Sequence, residues 1–374
     1  MSTNPTTSPT RIESEANVDA ERLEELVHQV VGDVGAAMTV PLALIGDRLG
    51  LFTELAKGGS MNAEQLAERT GLVERYVREW LLAMATAGYV TYDTGSDGSP
   101  DPALARYRMS PEQAEAFTDP DSPAYVAGAF QNLTAATRII DRLTEAFRTG
   151  QGVGWHEHHE DLFLGTERFF RPSYLANLTS TWIPALPGIE DKLRTGARVA
   201  DVGCGLGAST IIMATEYPKS TFVGIDYHAP SIVLAQHRAA DAGVTDRVTF
   251  RTAGAADLDG TFDLITFFDC LHDMPDPLAA LRAARSALAE DGAVMLVEPM
   301  SWDSVEETLN PLGRLLAGAS VWICLPSGLS DEPAYGLGNQ AGPARTCALG
   351  REAGFGIARE AVATDFNRVY ELRL

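Results

Sequence analysis

Two short segments carry residues able to do chemistry. The first is Val199-Ala-Asp-Val-Gly-Cys-Gly-Leu-Gly-Ala-Ser-Thr210, where Gly203, Gly205 and Gly207 alternate after an apolar stretch. Residues 198–202 read as a strand and 208–217 as a helix. A glycine turn between strand and helix N-terminus makes a pocket for the polar part of a nucleoside cofactor. Glycine tolerates positive φ and lets a ligand lie against the backbone. Cys204 sits inside this turn. The next strand, 221–225, ends at Asp226, followed by Tyr227, and an acid at that tip can accept both hydroxyls of a ribose. The second segment is Phe262-Asp-Leu-Ile-Thr-Phe-Phe-Asp-Cys-Leu-His-Asp-Met-Pro-Asp276. Its strand ends near Phe268, so Asp269, His272 and Asp273 fall over the carboxyl end of the sheet, where open α/β sheets bind ligands. A neutral imidazole suits removal of a proton from a phenol, hydroxyl or acid. Asp273 beside it can hold the ring in one tautomer. Glu298, ending a fifth strand, can orient His272 or contact substrate. The plainer alternatives are that His272 packs the following helix and that Glu298 sits in a buried ion pair.

Gly203-x-Gly205-x-x-Ala208 also fits the looser dinucleotide fingerprint. Three details favour S-adenosylmethionine. Asp201, just before the turn, suits the cofactor's ammonium group and would repel a pyrophosphate. The Asp-x-Gly-x-Gly-x-Gly spacing resembles the first motif of class I methyltransferases. Gly254-Ala-Ala-Asp257 follows a third strand, 248–251, where that family closes over the adenine, which implicates Ala255 and Ala256.

Trp155-His-Glu-His-His159 adds three histidines to the inventory. His156, His158 and His159, with His272 and Asp273, are able to make a mixed N/O metal site. Their spacing matches no standard template and methyl transfer needs no metal, so none is expected. Substrate contact and a polar surface loop are the other readings. Arg168 and Arg171 can bind a substrate carboxylate through the guanidinium fork, or make surface ion pairs. The long irregular stretch 301–346 reads as a substrate cover.

The elements that must position these residues fit two domains. The chain has 374 residues, 45% hydrophobic and 21% charged, with a net charge of −22. That acidity disfavours a nucleic-acid partner or an anionic membrane surface. Four cysteines without C-x-x-C pairing suit a reduced, cytoplasmic chain, and no run of 18 apolar residues suggests a membrane span. Residues 1–18 read as a disordered tail. Residues 19–148 read as a mostly α-helical winged-helix and dimerisation domain, with Pro41 starting a second helical run and 124–148 another helical stretch. Residues 149–175 read as a linker and active-site loop. From 176 to 374, strands near 198–202, 221–225, 248–252, 262–268, 293–298, 358–363 and 368–373 alternate with helices, so the fold class is α/β with a Rossmann-like seven-stranded sheet. The last two strands leave no room for a crossover and should pair antiparallel. In the would-be recognition helix, Glu74 and Glu79 cancel Arg75 and Arg78, which argues against DNA reading.

His272-Asp-Met-Pro-Asp276 resembles the His-Asp-Trp-Ser-Asp segment of winged-helix small-molecule O-methyltransferases of plants and bacteria, with Met274 in place of the usual Trp. The resemblance implies that His272 is the general base. The span from about 20 to 374 also resembles bacterial winged-helix methyltransferases often labelled as transcriptional regulators, through Trp155–His159, Gly165–Pro172, Phe268–Asp273, Val297–Pro299 and Asn310–Arg314. It implies a homodimer that methylates a small-molecule acceptor, most simply at oxygen. Methylation at carbon, nitrogen or a peptide carboxylate, and a cofactor-sensing regulator, stay open from sequence.

Overall fold

The computed structural model describes residues 18–93 and 104–374; the expected tail, apart from Val18, and most of the loop between the two wing strands lie outside them. Helix α1 (Ala20–Arg48) starts at Asp19, whose carboxylate accepts the N–H groups of Glu21 and Arg22 at 3.1 and 3.2 Å. Pro41 lies inside α1 and does not begin a new helix. Proline removes one backbone donor, but the last turns are locked by packing. Ala43 and Leu44 are buried, the Trp80 indole donates to the Leu42 carbonyl at 2.9 Å, and a Cβ at Gly46 would come within 2.2 Å of the Trp80 ring. Among the described residues, α1 alone is long and apolar enough by composition to cross a membrane. Its C-terminal turns are instead built into the winged-helix core.

Helices α2 (Leu51–Gly58), α3 (Ala63–Thr70) and α4 (Glu74–Thr86) follow, then strands β1 (Thr91–Asp93) and β2 (Arg106–Arg108), paired antiparallel. Asn62 and Gln65 cap α3 reciprocally, and Gly71 ends it at φ 69°. This is the winged-helix arrangement, with Phe52, Trp80, Phe117 and Phe130 in its core. Next come α5 (Pro111–Thr118), α6 (Ala127–Ala136), α7 (Ile140–Thr149) and α8 (Glu160–Asn177). The stretch expected to be helical over 124–148 is helical from Ala127, with a 3-10 turn at Thr137–Ile139 joining α6 to α7. The segment expected to be a loop to residue 175 is irregular only as far as His159, because α8 takes the rest. Helices α6 and α8 cross at two glycines: a Cβ on Gly128 would lie 2.5 Å from the Arg168–Phe169 backbone, and one on Gly165 2.5 Å from the Asn132 nitrogen. That close crossing ties the N-terminal half to the C-terminal half.

The C-terminal half runs α9 (Ile189–Thr195), β3 (Arg198–Val202), α10 (Ala208–Glu216), β4 (Thr221–Asp226), α11 (Ala229–Asp241), β5 (Val248–Thr252), β6 (Phe262–Phe268), α12 (Pro277–Ala287) and β7 (Leu288–Pro299). After three short helices, α13 (Val305–Thr308), α14 (Pro311–Ala319) and α15 (Leu325–Gly328), it closes with α16 (Gly342–Glu352), β8 (Ile357–Ala363) and β9 (Asn367–Arg373). The sheet order is β5-β4-β3-β6-β7-β9-β8, parallel except that β9 runs against both neighbours. β6 and the Ala293–Val297 part of β7 are nearly continuous apolar runs, as strands covered on both faces require. One core layer, with Trp182, Tyr217 and Phe222, packs one face of the sheet, and a second, with Phe267, Leu281 and Tyr370, packs the other. The order reverses between β3 and β6, and the crevice at that switch point receives the loops after both strands.

Candidate functional site

A cavity of about 1250 Å³ lies over this crevice. Its floor is the glycine turn. Gly203 and Gly205 have φ of 70° and 51°. A Cβ at Gly203 would meet the Cys270 sulfur at 2.7 Å, whereas one at Gly205 would meet nothing within 4 Å, because that residue faces open space. Asp226 braces the turn: one carboxylate oxygen accepts the Gly205 N–H at 2.9 Å and the other the His228 N–H at 2.8 Å. Burial raises its pKa. Cys204, Tyr227, Ala255, Ala256, Phe268 and Asp269 also line the cavity.

Asp201 does not line it. Its side chain is buried below the turn and accepts the hydroxyls of Ser209 (2.7 Å), Thr210 (2.5 Å) and Thr266 (3.0 Å), the last from its neighbour across β3 and β6. Burial pushes its carboxyl up to about 6. The expected direct contact with an ammonium group is therefore corrected: Asp201 ties the turn to α10 and β6. A different acid faces the cavity. Asp269, at φ 50°, accepts the Tyr174 hydroxyl and the Asn367 amide, each at 2.7 Å, and burial pushes its pKa up to about 8.

His272 is buried at the cavity wall. Its Nδ1 bonds a Glu298 oxygen, and its Nε2 lies 3.1 Å from Asp273 Oδ1. Glu298 thus reaches the histidine across the gap between β6 and β7. Burial alone would lower the imidazole pKa, but Asp273 and Glu298 outweigh it and raise the pKa well above 6.5. Asp273 Oδ1 has no hydrogen-bond partner, so the Nε2 contact is electrostatic rather than an aligned bond. A histidine fixed at Nδ1 by a carboxylate, with Nε2 beside a cavity, can exchange a proton with a bound molecule.

The histidine segment divides. Trp155 and His156 line the cavity. The His156 N–H donates to the Tyr227 hydroxyl at 3.2 Å, and its ring meets the Tyr227 ring edge-on at 5.9 Å. Phe163, on α8, stacks on His228 at 4.4 Å. These contacts fold the segment over the Asp226 end of the cavity. His159 instead caps α8, accepting the Asp161 N–H at 3.1 Å. His158 is buried outside the cavity lining, with both ring nitrogens unpartnered, and burial pushes its pKa down to about 4. Arg168 is a structural tie, bonded to both Asp47 oxygens (2.9 and 3.1 Å), Gln131 and Tyr125. Arg171 pairs with Asp121 at the surface. Neither arginine, nor His158 or His159, is placed to meet a molecule in this cavity.

Sequence reasoning passed over several lining residues. Phe163, Phe170 and Tyr174 recur along α8, a helical spacing that marks one apolar face. Trp322 and Cys324, inside the stretch expected to cover the substrate, come from the π-helical turn Ser320–Cys324, and the unforeseen Ala36, Phe130 and Leu133 from the N-terminal half. Among the described residues lining the cavity, Arg314 is the sole Lys or Arg, and it pairs with Asp33. A pyrophosphate would find carboxylates rather than cations here. The donor set fits an adenosyl group with a cationic tail: an acid at the ribose position, an open glycine backbone, alanines for a base, and Asp269 deeper in.

Comparison with known proteins agrees with this division. Residues 193–323 match the family described as Methyltransferase domain, and residues 36–119 the Rv2258c-like winged HTH domain. Demethylmenaquinone methyltransferase of Lactiplantibacillus plantarum is 32% identical over 139 residues, 36% of this chain and 53% of that protein. The 27-O-demethylrifamycin SV methyltransferase of Amycolatopsis mediterranei is 37% identical over 107 residues, 28% of this chain and 39% of that protein. The chain thus spans about half or less of the length of these relatives. Human N-acetylserotonin methyltransferase, solved in complex with SAM, superposes with a TM-score of 0.70 at 16% identity, covering 96% of this chain and 99% of that one. The shared fold extends over both halves. The chain therefore carries a methyltransferase domain of Rossmann-like fold behind an N-terminal winged HTH domain.

Proposed function

We propose that this protein catalyses S-adenosylmethionine-dependent methyl transfer to an oxygen of a small, largely apolar acceptor. The observation that carries the reading is His272, held by Glu298 at Nδ1, at the wall of the cavity whose floor is the glycine turn and Asp226. The cofactor, when bound, supplies a methyl group made electrophilic by its sulfonium. Asp226 would hold the ribose hydroxyls, and Ala255 and Ala256 would flank the adenine. His272 takes the acceptor's proton at Nε2, and Glu298 and Asp273 stabilise the imidazolium that results. Trp155, His156 and Phe163 cover the Asp226 end of the cavity and limit the entry of water to it, which matters because displacement depends on alignment and exclusion of solvent. Phe130, Leu133, Phe170 and Trp322 offer the acceptor an apolar surface. The wing helix α4 supports the enzyme over the regulator reading, since Arg75 pairs with Glu79 and Arg78 with Glu74, leaving no net charge for DNA. The exposed apolar face of α1, with Leu23, Val27, Val30 and Val34, supports a homodimer. His272→Ala should keep cofactor affinity and lose about 10²–10⁴-fold in turnover; normal turnover would remove His272 from the role.

A further inference from the structure

Cys324 has no place in the methyl-transfer reading, yet it is buried against the base. One ligand atom from each of His272, Asp273 and Cys324 lies within 4.8 Å of the other two. Imidazole nitrogen, carboxylate oxygen and thiol sulfur form a donor set suited to a borderline-soft divalent ion. The support behind it has the form seen at metal sites. Glu298 holds Nδ1, which fixes the tautomer and leaves Nε2 to point toward Asp273, and a carboxylate behind a ligating histidine orients it and raises its basicity. Asp273 Oδ1, one of the three candidate donors, has no hydrogen-bond partner. Cys324 stands on a π-helical turn, a distortion frequent at functional sites.

We propose that His272, Asp273 and Cys324 form a chelating site for zinc, and that zinc there shuts off the base. Binding forms Zn–N, Zn–O and Zn–S bonds. The thiol proton is released to solvent, together with the imidazolium proton when His272 carries one, and the fourth position is left for water. The ion occupies Nε2, the atom that must accept the acceptor's proton, so occupied protein cannot turn over. The inhibition rests on the methyl-transfer reading; the binding does not.

The test uses the full chain and needs no turnover. Titration of the purified protein with Zn²⁺ against a chromophoric chelator should show one ion per chain. Co²⁺ in its place should give a thiolate-to-metal charge-transfer absorption. Cys324→Ser should abolish that absorption and weaken zinc at least tenfold, and Glu298→Gln should weaken it about 10–100-fold. His156→Ala/His159→Ala should bind zinc as the parent does, because those side chains lie outside the trio. Near-ultraviolet circular dichroism of each variant reports whether it has folded; should Cys324→Ser not fold, the cobalt spectrum of the parent decides. Absence of stoichiometric binding, a cobalt complex without sulfur absorption, or loss of the site in the His156/His159 variant would overturn the proposal.

Discussion

Replacing Glu298 by Gln keeps the size of the side chain and removes one of the two carboxylates on His272. Glu298 bonds Nδ1, and Asp273 lies 3.1 Å from Nε2. Burial lowers the imidazole pKa, and Asp273 and Glu298, with a smaller contribution from Cys324, carry it above 6.5. An opposite charge at contact range moves a pKa by about 1–3 units. A pair 4 Å apart in an effective dielectric of 20 gives about 4 kcal/mol, near the top of that range. Imidazolium cannot accept a proton, so turnover should rise with pH as His272 deprotonates. Taking away Glu298 destabilises the cation, so the ascending limb of kcat/KM should move about 1–3 units to lower pH. The plateau should fall as well, by as much as about 10⁴-fold, because an amide can present its N–H to Nδ1 and select the wrong tautomer. Initial rates at saturating cofactor across the pH range measure both effects. A limb that stays in place, or moves to higher pH, would refute the coupling of Glu298 to the base.

Two other perturbations test the frame around the site. Asp226→Ala should weaken S-adenosylmethionine binding by about 100-fold or more, from two hydroxyl contacts to a carboxylate at about 1.5 kcal/mol each; isothermal calorimetry reads it, and unchanged affinity would remove Asp226 from the ribose. Asp161 accepts from Gln131 at 2.9 Å and pairs with Arg48 and Arg138, joining α8 to α1 and to the turn before α7. Burial raises its pKa, but these partners outweigh burial and lower it. The stability it contributes is therefore present above the pKa of a free aspartate and lost as pH falls through the lowered value. Asp161→Asn should cost about 1–3 kcal/mol at neutral pH and flatten that acid dependence, measured by denaturant unfolding across pH.

Much of the sheet was legible because its rules are local. The glycine turn, the acid at the tip of β4 and the short gap between β8 and β9 each follow from the residues in place. Asp201 was misread because only the fold shows which way it points: Thr266 reaches it from the adjacent strand, 65 residues on, and the glycine turn brings Ser209 and Thr210 back beneath it. An acid before a glycine turn looks the same whether it faces a ligand or three hydroxyls. Arg168 was misread for a similar reason. Its guanidinium fork could have served a substrate carboxylate, but Asp47, 121 residues earlier, occupies it. Pro41 gave a stop signal that tertiary packing around Trp80 overrode. The acceptor side was least legible, because its lining comes from α1, α6, α8 and the 320–324 turn, which only the fold brings together.

The most direct test of the central claim is calorimetric titration of the purified protein with S-adenosylmethionine and S-adenosylhomocysteine, with NAD as control. Micromolar binding of both sulfur nucleosides and none of NAD is the expected result. Binding of NAD, or of none of the three, would contradict the reading of the glycine turn and Asp226 as an adenosyl site, and with it the proposed methyl transfer.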